Sequence, residues 1–297
     1  MPFVGLDRYP AGGILRAMRI QLATCRHLPD LTASDAVLRS ALEARGATVT
    51  WAPWDLMSLE PGSLVCPRST WDYYLHWPEF RDWITALAGR PGAAWNPPQT
   101  LLWNGDKIYL RELESAGVAL PRTLWFEPGE RPSPAALAEV CDGGRAVLKP
   151  RISGTAYATF VVGPDTELAP PQWRPLEQWG SLLQAFVPEI SGGEVSLIFL
   201  AGKFSHAVLK RPAEGEFRVQ NDHGGTIEQL VPGDELLAFA ERALGASGRP
   251  WVYARVDVVD TVNGPLLMEL EMLEPDLFFT DAPAAAERLA DALLAGS

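Results

Sequence analysis

Three cysteines and four histidines are few for a chain of 297 residues, and their spacing excludes the common metal and disulfide frameworks. Cys25, Cys66 and Cys141 are few and form no CxxC pair, so a reduced, cytoplasmic setting is expected rather than a disulfide framework. The histidines form no HxxxH or HExxH, which leaves no zinc signature. No apolar run approaches the ~20 residues that cross a bilayer, so no membrane association is expected. A net charge of −12 argues against a nucleic-acid partner, which calls for a basic stripe. Glycine is missing where a dinucleotide fold needs it: Thr24-Cys-Arg-His-Leu-Pro29 follows the first apolar strand, and this excludes a GxGxxG oxidoreductase. There is also no GxxxxGK[ST] P-loop and no nucleophile elbow. Residues 1–17 carry Asp7, Pro10 and Gly12-Gly13 instead of a continuous apolar segment. They read as an extension and not a secretory signal, with Met18 opening the first strand.

What is present suits a globular enzyme. Hydrophobic residues make up 47% of the chain with 11 tryptophans, enough for real cores, and the length suggests about two domains of ~100–200 residues. From Arg19 to about Trp95 strands and helices alternate: a strand at Arg19–Thr24, a helix at Ser34–Arg45, strands at Thr48–Trp51 and Ser63–Cys66, and a helix at Pro78–Ala88. This βαβ order implies a small parallel sheet, whose ligands sit beyond the carboxyl ends of its strands. The loops there hold Arg26 and Arg68, candidates for a bidentate grip on a substrate carboxylate, although each also fits a surface arginine. Trp95-Asn-Pro-Pro98 reads as a linker. Beyond it we expect a helix at Asp106–Ser115, strands at Thr123–Phe126, Ala146–Lys149, Thr159–Val162 and Leu182–Val187, and a helix at Pro134–Cys141. Asp165–Gly180 reads as a proline-rich crossing, the remainder as strands and hairpins, and Ala284–Leu294 as a closing amphipathic helix.

The densest chemistry lies in Trp251–Asp260 and Leu266–Glu274, two apolar runs about an Asn263-Gly264 turn that read as a β-hairpin. Alternation aims Glu269 and Glu271 to one face and Met268, Leu270 and Met272 to the other. A three-residue loop ending at Pro265, which cannot donate to a ladder, sets Asp257 opposite Glu271 and Val259 opposite Glu269. Three carboxylates then share one patch, where like charges ~4 Å apart repel by roughly 4 kcal/mol. A hard divalent cation relieves that repulsion, although the alternation alone also fits a solvated acidic strand face. Cations gather elsewhere in this acidic chain, at Lys107, Lys149 with Arg151, Lys203, Lys210-Arg211 and Arg218, as for a small polyanion.

Lys149 at a strand end, the small-residue loop Ser153-Gly-Thr-Ala156 and the carboxylate hairpin, in that order, resemble the ATP-grasp superfamily in its glutathione synthetase-like branch, over about Trp95–Pro275. The resemblance implies an α/β ATP-grasp fold: a Rossmann-like substrate domain at 18–94, a first lobe at 95–182 and a C-terminal lobe with the metal site at 183–297. It implies ATP phosphate contacts from Lys107 and Lys149, with Ser153, Gly154 and Thr155 covering the phosphates. Gln184, Phe186 and Val187 match the strand that reads the adenine edge, and Glu194 matches the ribose ligand. Lys210, Arg211, Arg218 and Gln220 match the groups near the γ-phosphate and acyl phosphate, with Lys210, Arg218 and Lys149 in catalytic roles and Arg211 and Gln220 toward substrate. Asp257, Glu269 and Glu271 match ligands for Mg²⁺, with two ions expected; Glu271 departs from the usual asparagine. The implied reaction phosphorylates a small-molecule carboxylate with ATP and lets an amine-type nitrogen displace phosphate. Ser153–Ala156 and Glu214–Gly225, which includes His223, are the implied lids.

Thr24–Asp30 and Pro67–Tyr73 are similar to a subgroup that includes the O-ureidoserine cyclo-ligase of D-cycloserine biosynthesis, in which the nitrogen belongs to the same molecule. Joining of amino acids or peptides is the broader reading, a nucleotide-binding module without catalysis is the rival, and a homodimer is the expectation for assembly.

Overall fold

A computed structural model describes residues 18–90, 94–142, 144–213 and 224–294. Strand β1 (Arg19–Thr24) is the middle of a parallel three-stranded sheet, with helix α1 (Ala33–Glu43) crossing to β2 (Thr48–Pro53) on one side and β3 (Ser63–Pro67) on the other. Thr32 caps α1 by accepting the Asp35 amide at 3.0 Å, and Leu38, Ala41 and Leu42 recur at helical spacing on its buried face. Helix α2 (Trp77–Ala88) follows. The loops leaving β1 and β3 lie at one end of the sheet, which aims residues 25–32 and 68–73 at the rest of the molecule.

The chain continues through α3 (Pro98–Asn104) and α4 (Tyr109–Ser115) to β4 (Thr123–Phe126), α5 (Pro134–Cys141), β5 (Ala146–Pro150), β6 (Phe160–Val162), α6 (Pro170–Gln178) and β7 (Ser181–Ala185). These strands form an antiparallel sheet in the order β4-β7-β5-β6. A second antiparallel sheet, β10-β9-β8-β11-β12, uses β8 (Glu194–Leu200), β9 (Lys203–Arg211), β10 (Thr226–Leu230), β11 (Tyr253–Thr261) and β12 (Gly264–Glu271). Helices α4 and α7 (Asp234–Ala246) share an apolar core with β8, β11 and β12. The last helix, α8 (Pro283–Leu294), returns to pack on α1, so Leu289 and Leu293 join the core of the first sheet. Arg45 reinforces that contact with ion pairs to Asp291 at 2.5 Å and Glu287 at 2.9 Å.

Three helices differ from the sequence reading. Pro98 opens α3, and Pro170-Pro171 opens α6, because proline fits the first turn of a helix, where its missing N–H has no partner to lose. Helix α7 carries Leu236, Phe239, Ala240, Ala243 and Leu244 on its buried face, a 3.6-residue period set among strands. The linker expected at Trp95–Pro98 is a buried anchor. Asn96 donates to the Tyr253 and Met272 carbonyls and accepts the Val252 amide at 2.7 Å, tying α3 to the hairpin.

The hairpin register also needs correction. Thr261 pairs with Gly264, and Pro265 sits within the ladder opposite Asp260. A β-bulge between Asp257 and Val258 leaves Met268 unpaired, so Asp257 faces Glu269 and Arg255 faces Glu271. The extra residue turns Met268 onto the same side as Glu269, where it packs with Val187, Ile190 and Val259; Leu270 and Met272 stay in the opposite core.

Candidate active site

The two antiparallel sheets and the end of the parallel sheet enclose a cavity of about 740 Å³. Its charged floor is the β11–β12 hairpin. Ligand oxygens of Asp257, Glu269 and Glu271 lie within 4.8 Å of one another, a set made wholly of hard oxygen donors that fits a hard divalent cation. Lys149 from β5 and Lys107 from the turn before α4 reach across to Glu269 Oε1, at 3.4 and 3.7 Å. Burial opposes ionisation of Glu269, yet the two ammonium groups outweigh it and hold that carboxyl down at about 2. Asp257 is also held low against burial, by Arg255 and Lys210. Glu271 moves the other way: burial raises it well above the usual range and three neighbouring carboxylates add to the push, against the opposing pull of Arg255.

Arg255 is one site residue that the sequence does not single out. Its fork donates to Asp257 at 2.9 Å and to Glu271 at 2.6 Å, and it lines the cavity. The signal was available, since Arg255 and Asp257 are two apart on one strand and share a face. Glu274, just past β12, also lines the cavity, and burial raises its carboxyl to about 7. Asn104 fixes this strand end by donating to the Leu270 carbonyl at 2.6 Å while accepting the Met272 and Leu273 amides.

At the other end the lining turns apolar, with Val147, Phe186, Val187, Ile190 and Met268. Gln184 borders it, donating to Thr123 Oγ1 at 3.2 Å, and Glu194 bonds Lys210 Nζ at 2.5 Å. Burial raises Glu194, with Asp257 adding to the push and Lys210 opposing it. Gly193, at φ 117°, lets β8 begin there: a Cβ would come within 2.6 Å of Leu209 and 3.0 Å of the Lys210 carbonyl.

Ser153, Gly154 and Thr155 form the roof between β5 and β6. Lys107 Nζ donates to the Ser153 carbonyl at 2.7 Å, and Tyr73 Oη donates to it at 3.2 Å. Thr155, Ala156 and Ala158 take left-handed backbones at φ 49°, 56° and 49°, a conformation usually left to glycine. Tyr74 braces the loop, contacting Thr155 Oγ1 at 3.4 Å and the Tyr157 ring at 4.8 Å.

The structure gathers Lys107, Lys149, Ser153, Gly154, Thr155, Gln184, Phe186, Val187, Glu194, Lys210, Asp257, Glu269 and Glu271 around one cavity. It places three arginines elsewhere. Arg26 is exposed and paired with Asp55 at 2.5 Å. Arg211 is exposed and paired with Glu228 at 3.0 Å, because β9 turns alternate residues outward. Arg68 is 1% exposed: its guanidinium bonds Asp35 at 2.7 Å and the Pro275 carbonyl at 2.9 Å, joining the parallel sheet to the segment after β12. Arg218, Gln220 and His223 lie outside the described residues. The wall contributed by the parallel sheet is made instead by His27, Leu28, Thr32, Trp71 and Tyr73.

Among the described residues no helix is long and apolar enough to cross a membrane. A family model described as the N-terminal domain of D-cycloserine synthetase DcsG matches residues 20–104. The chain is 32% identical over 218 residues to the cycloserine biosynthesis protein DcsG of Streptomyces lavendulae, covering 66% of this chain and 71% of that one. It is 25% identical over 205 residues to a probable alpha-L-glutamate ligase of Mannheimia succiniciproducens, covering 64% of this chain and 65% of that one. A crystal structure of D-cycloserine synthetase DcsG matches with a TM-score of 0.78 at 25% identity, over 93% of this chain and 98% of that one. D-alanine–D-alanine ligase from Bacillus anthracis complexed with ATP shares the fold, with a TM-score of 0.66 at 17% identity over 94% of this chain and 97% of that one. With the lysines, the carboxylate hairpin and the whole-chain likeness in agreement, the protein belongs to the ATP-grasp ligases, in the subgroup of D-cycloserine synthetase.

Proposed function

We propose that this ligase activates the carboxylate of a small amino-acid substrate as an acyl phosphate and closes a ring onto a nitrogen of the same molecule, as expected for an O-ureido-D-serine substrate. The observation that carries the reading is the convergence of Lys107 and Lys149 on Glu269, within a carboxylate triad that lines the cavity. The likeness to DcsG over residues 20–104 supports the substrate class, because that segment supplies the His27, Thr32 and Trp71 wall. Three units make up the proposed arrangement: a substrate unit at 18–94, a first lobe at 95–182 and a second lobe at 183–297.

The chain's own groups have distinct tasks. Lys107 and Lys149 neutralise triphosphate oxygens, and the Ser153–Thr155 roof covers them. The apolar end with Phe186 and Val187 receives the base, and Glu194 receives ribose hydroxyls. Asp257, Glu269 and Glu271 would hold Mg²⁺, which supplies charge neutralisation to the phosphates when bound. A substrate carboxylate oxygen attacks the γ-phosphorus and ADP leaves. The substrate nitrogen then attacks the acyl carbon, loses a proton, and phosphate departs with the C–O electron pair. Arg255 and Lys210 line the same cavity and would stabilise the negative charge that builds in both steps, as preorganised donors do. The roof and Tyr73 exclude water from the acyl phosphate.

The test is O-ureido-D-serine with ATP and magnesium, following ADP release and cycloserine together. Release with product supports the reading. Release only with other amino acids or peptides leaves intermolecular ligation of the glutamate-ligase kind, and no release with any carboxylate in a broad panel removes the enzymatic assignment.

A further inference from the structure

The loops after β1 and β3 bring together a second set of ligating side chains, separate from the hairpin carboxylates. Cys25 Sγ lies 3.6 Å from His27 Nε2, and one carboxylate oxygen of Asp72 completes a trio whose ligating atoms all fall within 4.8 Å. Tetrahedral zinc, with Zn–S at ~2.3 Å and Zn–N at ~2.0–2.1 Å, sets its sulfur and nitrogen ligands about 3.5 Å apart. The Cys25–His27 separation therefore already matches that tetrahedral edge. Asp72 is held from behind, since Trp54 Nε1 donates to its Oδ1 at 2.8 Å and leaves Oδ2 3.9 Å from His27 Nδ1, the ring nitrogen other than the one beside Cys25. A hydrogen bond of that kind to a ligand carboxylate orients it and supports metal affinity. Cys25 and Asp72 are buried whereas His27 is exposed and lines the cavity, so the trio is closed on one side and open on the other.

The geometry points to a binding site for one borderline-soft divalent ion of the zinc class, held by Cys25, His27 and Asp72, with its fourth position facing the cavity. Thiolate and imidazole select such ions, whereas the all-oxygen hairpin triad selects magnesium. Binding replaces the Cys25 S–H bond by a sulfur–metal bond and releases that proton to solvent. The site adds a cation to a wall from which Arg26 and Arg68 are both withdrawn.

Cobalt(II) reports the site independently of ligase activity, because only sulfur ligation gives an intense thiolate-to-cobalt absorption in the near ultraviolet. The full-length protein, kept in excess magnesium to fill the oxygen site, is titrated with cobalt chloride under reducing conditions. One equivalent of the sulfur band is expected, displaced by zinc. It should be lost in Cys25→Ser and kept in Cys141→Ser. The exposed His27→Ala change, which leaves the core untouched, should weaken the cobalt midpoint by at least about tenfold. Absence of the band in the wild-type protein at saturating cobalt, its persistence in folded Cys25→Ser, or an unchanged midpoint in His27→Ala would overturn the assignment.

Discussion

Glu269→Gln and Glu271→Gln each replace a carboxyl on one face of the same strand, yet they should act differently on the metal-free protein. Glu269 is pinned between Lys149 at 3.4 Å and Lys107 at 3.7 Å. Holding its carboxyl at about 2 instead of 4.5 corresponds to about 3 kcal/mol of stabilisation at neutral pH. A chain of this length loses about 1 °C of Tm per 0.6 kcal/mol, so Glu269→Gln should lower Tm by about 5 °C. Glu271 sits on the other side of the balance, because burial and its carboxylate neighbours already disfavour its charge. Glu271→Gln keeps an acceptor for Arg255 and should leave Tm near that of wild type. A depressed carboxyl stabilises above its unfolded value and loses that contribution as pH falls through its folded one. The Glu269→Gln deficit should therefore shrink from full size near pH 7 toward zero between about pH 4.5 and 2. Calorimetric scans in a chelator at low ionic strength measure all of this. Equal Tm values for Glu269→Gln and wild type, or a larger loss in Glu271→Gln, would refute the charge balance described for the hairpin.

Both substitutions should also abolish magnesium-dependent nucleotide binding, read by titration calorimetry with a non-hydrolysable ATP analogue. Arg68→Ala leaves Asp35 buried without its partner and should cost about 3–5 kcal/mol in denaturant unfolding. A raised substrate KM at unchanged stability would instead return Arg68 to substrate binding. Lys149→Ala should raise the ATP KM and cut ADP release at least about 100-fold, while chemical unfolding shows a folded protein; retained turnover would place the triphosphate elsewhere. Asn104→Ala strips three partners from the end of β12 and should lower stability by about 1–3 kcal/mol and kcat more than KM, which steady-state rates would show.

Local chemistry made much of this legible in the sequence. The strand at Thr123–Phe126 and a helix near Pro134–Cys141 are legible, because β-branched and aromatic residues mark the first and Ser133 with Pro134 opens the second. The ATP-grasp assignment came from the order of Lys149, the small-residue loop and the hairpin. Non-local geometry was illegible. Nothing in the local pattern announces the tight Thr261–Gly264 turn or the bulge at Met268, which together set Asp257 opposite Glu269 instead of Glu271. Arg26 and Arg68 stood on the right loops, but a strand-end position does not say whether a side chain turns toward the ligand or is taken by a neighbouring carboxylate. Cys25-Arg26-His27 matches no metal spacing because its third partner, Asp72, lies in a different loop. Helix α7 was legible by period and was masked by the strands around it.

The return of α8 to α1 has a consequence for biogenesis. Translation delivers the parallel sheet before α8, so Leu289 and Leu293, which complete its apolar covering, emerge only with that later helix. The early segment must wait on the ribosome with an unsealed greasy face, a circumstance in which nascent chains aggregate or recruit chaperones. Loss of α8 would thus be felt first in the parallel sheet, which is made well before it.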